Sequence, residues 1–183
     1  LKVLFHVCKM KLSKFDSISK QVDLKNSYSH FFTQGRWSSF ELLLYLLTLT
    51  KKADIIITSF SISDEFLRFL EKAKKENLIN SITGIFNVAI LKYKIDLLQF
   101  ASKIFDKIYI GNTHKKIFLI KNERFNITVN QSANCTYNNQ SESGIICTVP
   151  EIYILYEKNI NIILEKSKIL KVDEFSRRQI KRD

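Results

Sequence analysis

The strongest constraint on the fold is a continuous apolar run of Ile and Thr at residues 54–60, with a segment of helical period on each side. A short unbroken apolar run reads as a strand buried on both faces. Residues 81–89, 107–111 and 145–149 read as further strands. On one flank, Ser38 or Ser39 can cap a helix running to about residue 51, with Phe40, Leu43, Leu44 and Leu47 on one face. On the other, Ser63-Asp64-Glu65 opens a second helix with Phe66, Leu67 and Leu70 inward. Its last turn carries Lys72, Lys74 and Lys75, where the helix dipole favours cations. Residues 96–105 predict a short helix anchored by Leu97, Leu98 and Phe105. Residues 116–121 and 125–129 predict a hairpin turning through 122–124. Residues 131–143 are polar and aperiodic, a loop. Pro150 opens a long helix to about residue 170. Strands alternating with helices, together with a hairpin, predict an α/β fold with a mixed sheet flanked by helices.

A chain of 183 residues suits one domain with a sizeable core. Residues 1–34 read as a basic, partly ordered leader, 35–170 as the domain and 171–183 as a basic tail. Trp37 reads as a core group and not a base-stacking platform, and Tyr28, Phe31 and Phe32 as packing groups. The first residue is Leu, which suggests a fragment or an alternative start. The longest apolar stretch, 42–49, falls well short of the ~20 residues that cross a bilayer, and residues 1–8 are too short for a signal peptide. Cys8, Cys135 and Cys147 are odd in number and widely spaced, without Cys-x-x-Cys. That points to a reducing compartment, hence a cytoplasmic protein, with no zinc site or disulfide framework.

The chemistry-bearing residues cluster between positions 114 and 142. His114 and Lys116 open one apolar run, and Ser132 and Asn134 follow the next, with Glu142 beyond. Residues two apart on an extended strand share a face, so an imidazole and an ammonium stand side by side. A hydroxyl and a carboxamide from the next segment complete a set suited to a phosphate group. The imidazole is the nucleophile and the others neutralise or hydrogen-bond phosphoryl oxygens. Glu142 could hold a histidine ring and favour its protonated form. No Gly-rich phosphate loop, His-Glu-x-x-His or Gly-x-Ser-x-Gly occurs, which disfavours kinases, zincins and serine hydrolases. No metal-ligand spacing occurs either, so neither metal nor cofactor is expected.

Net charge is +11. Six basic and two acidic residues fall in 1–25, six and two in 102–126, and seven and three in 166–183. A basic excess at both ends and around His114 favours a polyanionic partner, because Lys and Arg contacts to phosphates supply most non-specific nucleic-acid affinity. The bland alternative is compositional: Lys, Ile and Asn abundant and Arg scarce, as an AT-rich genome would produce.

The ordered set His114, Lys116, Ser132, Asn134 and Glu142 resembles the motif of the phospholipase D-like superfamily. That motif runs His-x-Lys, an Asp after four further residues, then Gly-Ser-x-Asn. Lys121 stands at the Asp position and Gln131 at the Gly. The gap between His and Ser, three residues longer than the commonest form, and a Glu eight residues past the Asn are similar to a single-motif branch of phage and mobile elements. The segment Gly35-Arg36-Trp37-Ser38-Ser39 and the strand-helix unit 53–70 also look like that branch, so the likeness spans about 35–170. The resemblance implies a phospholipase D-like fold and metal-independent phosphodiester hydrolysis or transfer through a phosphohistidine. It also implies a homodimer, because the superfamily usually needs two His-Lys motifs per site and this chain has one. Nucleic acid is the preferred substrate. Two alternatives stay open. Lys121 and Gln131 suggest an inactive nucleic-acid-binding module. The amphipathic basic ends suggest a phospholipid headgroup enzyme on a membrane surface, the weaker fit because no apolar lid is apparent.

Overall fold

A computed structural model of the protein describes residues 12–137 and 139–170. In chain order the elements are α1 (Leu12–Ser19), β1 (Tyr28–Phe32), α2 (Ser39–Thr50), β2 (Ala53–Ser59), α3 (Asp64–Lys75) and β3 (Ile79–Asn87). Next come α4 (Ile90–Tyr93), α5 (Ile95–Ala101), β4 (Lys107–Gly111), β5 (Ile117–Lys121), β6 (Asn126–Gln131), β7 (Ser143–Cys147), α6 (Pro150–Glu165) and β8 (Lys168–Ile169). The strands form one eight-stranded sheet in the order β1-β7-β6-β5-β2-β3-β4-β8. Only β2-β3-β4 pair in parallel; the other neighbours are antiparallel. The expected mixed α/β sheet is therefore present.

Parallel neighbours need crossovers, and here α3 and the α4–α5 pair supply them. Those helices and α2 cover one sheet face. Leu43, Leu47, Phe66, Leu70 and Leu98 pack there on Ile55, Ile57, Ile82, Phe118 and Val129, all buried. On the opposite face α6 lies over Ile85, Ile117 and Leu119, through Tyr153 and Ile160. The two central strands β2 and β5 are thus apolar on both faces, which is why their sequences lack alternation.

The segment read as a leader does more than its polarity suggests. Ile18 of α1 is fully buried, and Lys14 Nζ reaches Glu41 Oε1 at 2.7 Å. β1 is an edge strand paired with β7. Ser29 and Phe31 face the core, whereas Tyr28 and Phe32 are 50% and 57% exposed on the α6 side. As packing groups, then, Phe31 holds and Tyr28 and Phe32 do not. Trp37 is core as expected, stacked 5.3 Å from Phe31. The last helix ends at Glu165, short of residue 170. Ser167 and Gly111 come so close that a Cβ on the glycine would lie 2.1 Å from Ser167 Oγ, and β8 then pairs with β4. The tail at 171–183, part of the leader and Cys8 lie outside the described residues.

Candidate active site

The C-terminal ends of β2, β3, β4 and β6 and the N-terminal ends of β5 and β7 meet along one edge of the sheet. Strand ends leave backbone turns and side chains free of the ladder, and functional groups collect there. His114 and Lys116 sit where the chain turns from β4 into β5. Asn87 Nδ2 donates to Thr113 O at 2.8 Å, and Lys115 N donates to Thr113 Oγ1 at 3.2 Å, which fixes that turn. Ile117 N then donates to Thr58 Oγ1 at 3.0 Å as β5 begins.

Lys116 Nζ lies 3.2 Å from His114 Nδ1 and 3.2 Å from His114 O. The imidazole and ammonium are side by side, as their spacing predicts. The carbonyl takes one of the ammonium's three N–H donors, which leaves the others to meet an anionic ligand. The ring of Phe60, just past β2, tilts against the imidazole with centroids 5.1 Å apart. The histidine is exposed and braced on one side only.

Gln131 N donates to Lys116 O at 3.1 Å, so β6 delivers Ser132 beside the His-Lys pair. Ser132 Oγ donates to the Glu142 carboxylate and accepts Ser143 N at 3.0 Å. The hydroxyl proton is directed to Glu142, and the two residues bracket the loop 131–143. Glu142 is anchored from below, since its N donates to Thr33 Oγ1 at 2.9 Å and its O accepts Thr33 N at 2.8 Å. Asn134 is placed by its own backbone: Ser39 Oγ donates to Asn134 O at 2.9 Å. Next to it, Cys135 N donates to Ser59 Oγ at 3.0 Å. Ser59 Oγ gives its proton to Ser61 O at 2.6 Å and lies 3.5 Å from Asn134 Oδ1, so the carboxamide is lightly held. Burial pushes the Cys135 thiol up to about 12, which makes it an inert core group.

All five residues singled out in the sequence therefore lie at one sheet end. His114 touches Lys116, and Ser132 touches Glu142. Thr33, Ser39, Ser59, Phe60, Asn87 and Thr113 support them and were missed in the sequence. Small hydroxyls and amides at strand ends carry no pattern of their own. Lys121 lies at the opposite end of β5, across from Asp54 and Asn126, away from this site. The Gln131 side chain is buried. Neither departure from the motif presents a charged group to His114. Among the described residues no group of three or more His, Cys, Asp or Glu is placed to hold a metal ion, and no helix is long and apolar enough to cross a membrane.

No family model and no curated protein sequence matches the chain. Solved structures do match. A phospholipase D family member, Nuc from Salmonella typhimurium, superposes with a TM-score of 0.60 at 12% identity, covering 79% of this chain and 98% of that one. NucT from Helicobacter pylori gives 0.57 at 14% identity, over 76% and 98%. A phosphatidylserine synthase from Haemophilus influenzae gives 0.58 at 17% identity, over 80% of this chain and 41% of that chain. The protein has the phospholipase D-like fold.

Proposed function

We propose that the chain is a metal-independent phosphodiesterase that cleaves nucleic acid through a phosphohistidine, in a site completed by a second copy of itself. The contact between His114 and Lys116 at the sheet end, on this fold, is the observation that carries the reading. In the first step a neutral His114 donates its ring lone pair to phosphorus. The P–N bond forms, the P–O bond to the leaving group breaks, and the leaving oxygen takes a proton from the partner subunit's His114. In the second step the partner subunit's His114 takes a proton from water. The water oxygen then bonds to phosphorus and the P–N electron pair returns to the ring. Lys116 and Asn134 supply the donors that offset charge on the equatorial oxygens, the work a metal does elsewhere. Ser132 and Glu142 hold the loop that presents Asn134.

One His-Lys pair per chain supports the dimer. So does the α6 face of the sheet, where Tyr28, Phe32, Ile154, Leu155 and Ile162 are each about half exposed. Apolar groups grouped on one face favour a partner of the same kind. The basic stretches favour nucleic acid over a lipid headgroup. The decisive assay compares wild type and His114→Ala on DNA, RNA and a phosphatidyl lipid with chelator present. Cleavage of nucleic acid that survives chelator and is lost in His114→Ala is the expected result. Cleavage that chelator stops and His114→Ala retains would overturn the phosphohistidine route, and binding without cleavage would leave a nucleic-acid-binding module.

A further inference from the structure

Lys121, which stands where the resembling motif has Asp, faces a cleft of about 700 Å³ at the end of the sheet opposite His114. Lys51, Lys52 and Arg124 line the same cleft. All four side chains are exposed, and among the described residues none has an ion-pair partner within 4.0 Å. Asp54 and Glu123 are there too. Asp54 Oδ1 already accepts from Asn80 Nδ2 at 2.7 Å and Ser81 Oγ at 2.5 Å. The cleft keeps a positive balance.

This convergence is built, because the four cations come from segments about 70 residues apart. Asn122 fastens them together. Its Oδ1 accepts Arg124 N and Phe125 N at 2.9 Å each, shaping the β5–β6 turn that carries Lys121 and Arg124. Its Nδ2 donates to Thr50 O at 2.6 Å, which pins that turn to the α2–β2 corner carrying Lys51 and Lys52. Lys51 itself holds φ 60° and ψ −149°, a conformation that glycine adopts far more easily. The Lys121 ammonium is steered by the Tyr153 ring, 5.7 Å from its centroid.

We propose that this cleft is a second phosphate-binding site, gripping the backbone of nucleic acid at the end of the sheet away from His114. The inference rests on the nucleic-acid reading above. Separated cations around an open cleft match the repeating charge of a polymer better than one phosphate. The cleft and the His114 edge lie at opposite ends of β5, about 17 Å apart along the strand, with helices over both faces between them.

The test is binding of a 20-base-pair DNA duplex against salt, in a His114→Ala background that keeps the DNA intact. Replacing Lys121 and Arg124 together by Gln removes two phosphate contacts. The slope of log affinity against log salt then shrinks by about 2, and affinity at 100 mM salt falls at least about tenfold. Lys51→Gln with Lys52→Gln, on the other segment, gives the same change and serves if the first pair unfolds. Otherwise wild-type chains carrying either pair hydrolyse bis-p-nitrophenyl phosphate, which has no polymer backbone for the cleft to hold, at the unaltered rate. Unchanged slope and affinity in both pairs would overturn the cleft and leave the His114 reading standing. A wild type that hydrolyses the small diester yet binds no duplex would overturn the cleft and the nucleic-acid substrate, but not the phosphodiesterase. Loss of small-diester turnover in His114→Ala is the separate control on the active site.

Discussion

The two ends of β5 carry the same side-chain type in opposite settings. At the N-terminal end Lys116 is partly buried and held 3.2 Å from an imidazole and a carbonyl. At the C-terminal end Lys121 is exposed, lies across from Asp54 without a close ion pair, and faces a cleft shared with three other cations. On the proposed function, the strand separates a cation placed for chemistry from cations placed for attraction. A departure from a motif means different things at the two ends. A charge change at Lys116 would fall beside His114, whereas one at Lys121 falls in the cleft at the other end of the sheet.

The largest expected effect sharpens the near end. His114→Ala lowers turnover of a small phosphodiester by at least about 10²–10⁴-fold, the range for loss of a proton-transfer group, and Lys116→Ala by about 10²–10³-fold, as for loss of an oxyanion donor. Steady-state rates with and without chelator check both. Retained turnover in either would break the contrast between the ends.

Next in size is a substitution in the support under Glu142. Gly35 has φ +69°, and an added Cβ would lie 2.5 Å from Asn139 O. Gly35→Ala is expected to cost about 1–3 kcal/mol in thermal or denaturant melts. It should also reduce turnover, since Thr33 two residues earlier holds the Glu142 backbone. An unchanged melting curve would show that the loop moves without penalty.

A smaller effect tests the distal end by pH. Burial alone would raise the Asp106 carboxyl. The Ile82 amide at 2.7 Å and the Lys74 ammonium at 2.9 Å outweigh it and hold the carboxyl below its usual range. A carboxyl depressed in the folded state contributes stability above its unfolded pKa and loses it as pH falls through the folded one. Acid melts of wild type should therefore fall more steeply below the unfolded carboxylate range than those of Asp106→Asn. Parallel acid limbs would count against this.

The smallest expected effect is the most discriminating. Lys121→Asp restores the residue of the resembling motif, yet sits five residues from Lys116. Small-diester turnover should change by less than about twofold, as expected of distant sites without shared partners. A large change in either direction would mean that the two ends of β5 are coupled.

Most strands and helices were legible because their apolar residues recur with the period of the element. Residues 54–60 and 107–111 read directly, and β3 and β7 were offset by only two residues. The four-residue helix α4 did not read, being too short to show a period, and the helix expected over 96–105 ends at Ala101. β1 escaped because Tyr28, Ser29 and His30 give an edge strand little apolar alternation, and β8 because it has two residues. In the candidate site His114 and Lys116 were legible as a pair, since i and i+2 on a strand share a face by geometry alone.

The sequence by itself determined the fold class and which side chains could serve phosphate chemistry, because both follow from local period and residue type. Only the tertiary structure decided who meets whom. Ser132 finds Glu142 ten residues away, Asn134 finds Ser39 and Ser59, and Lys121 joins Lys51 and Lys52 at the far end of the sheet. Those meetings are set by strand order and register, and pairing across a sheet brings together segments whose separation along the chain says nothing of their distance in space.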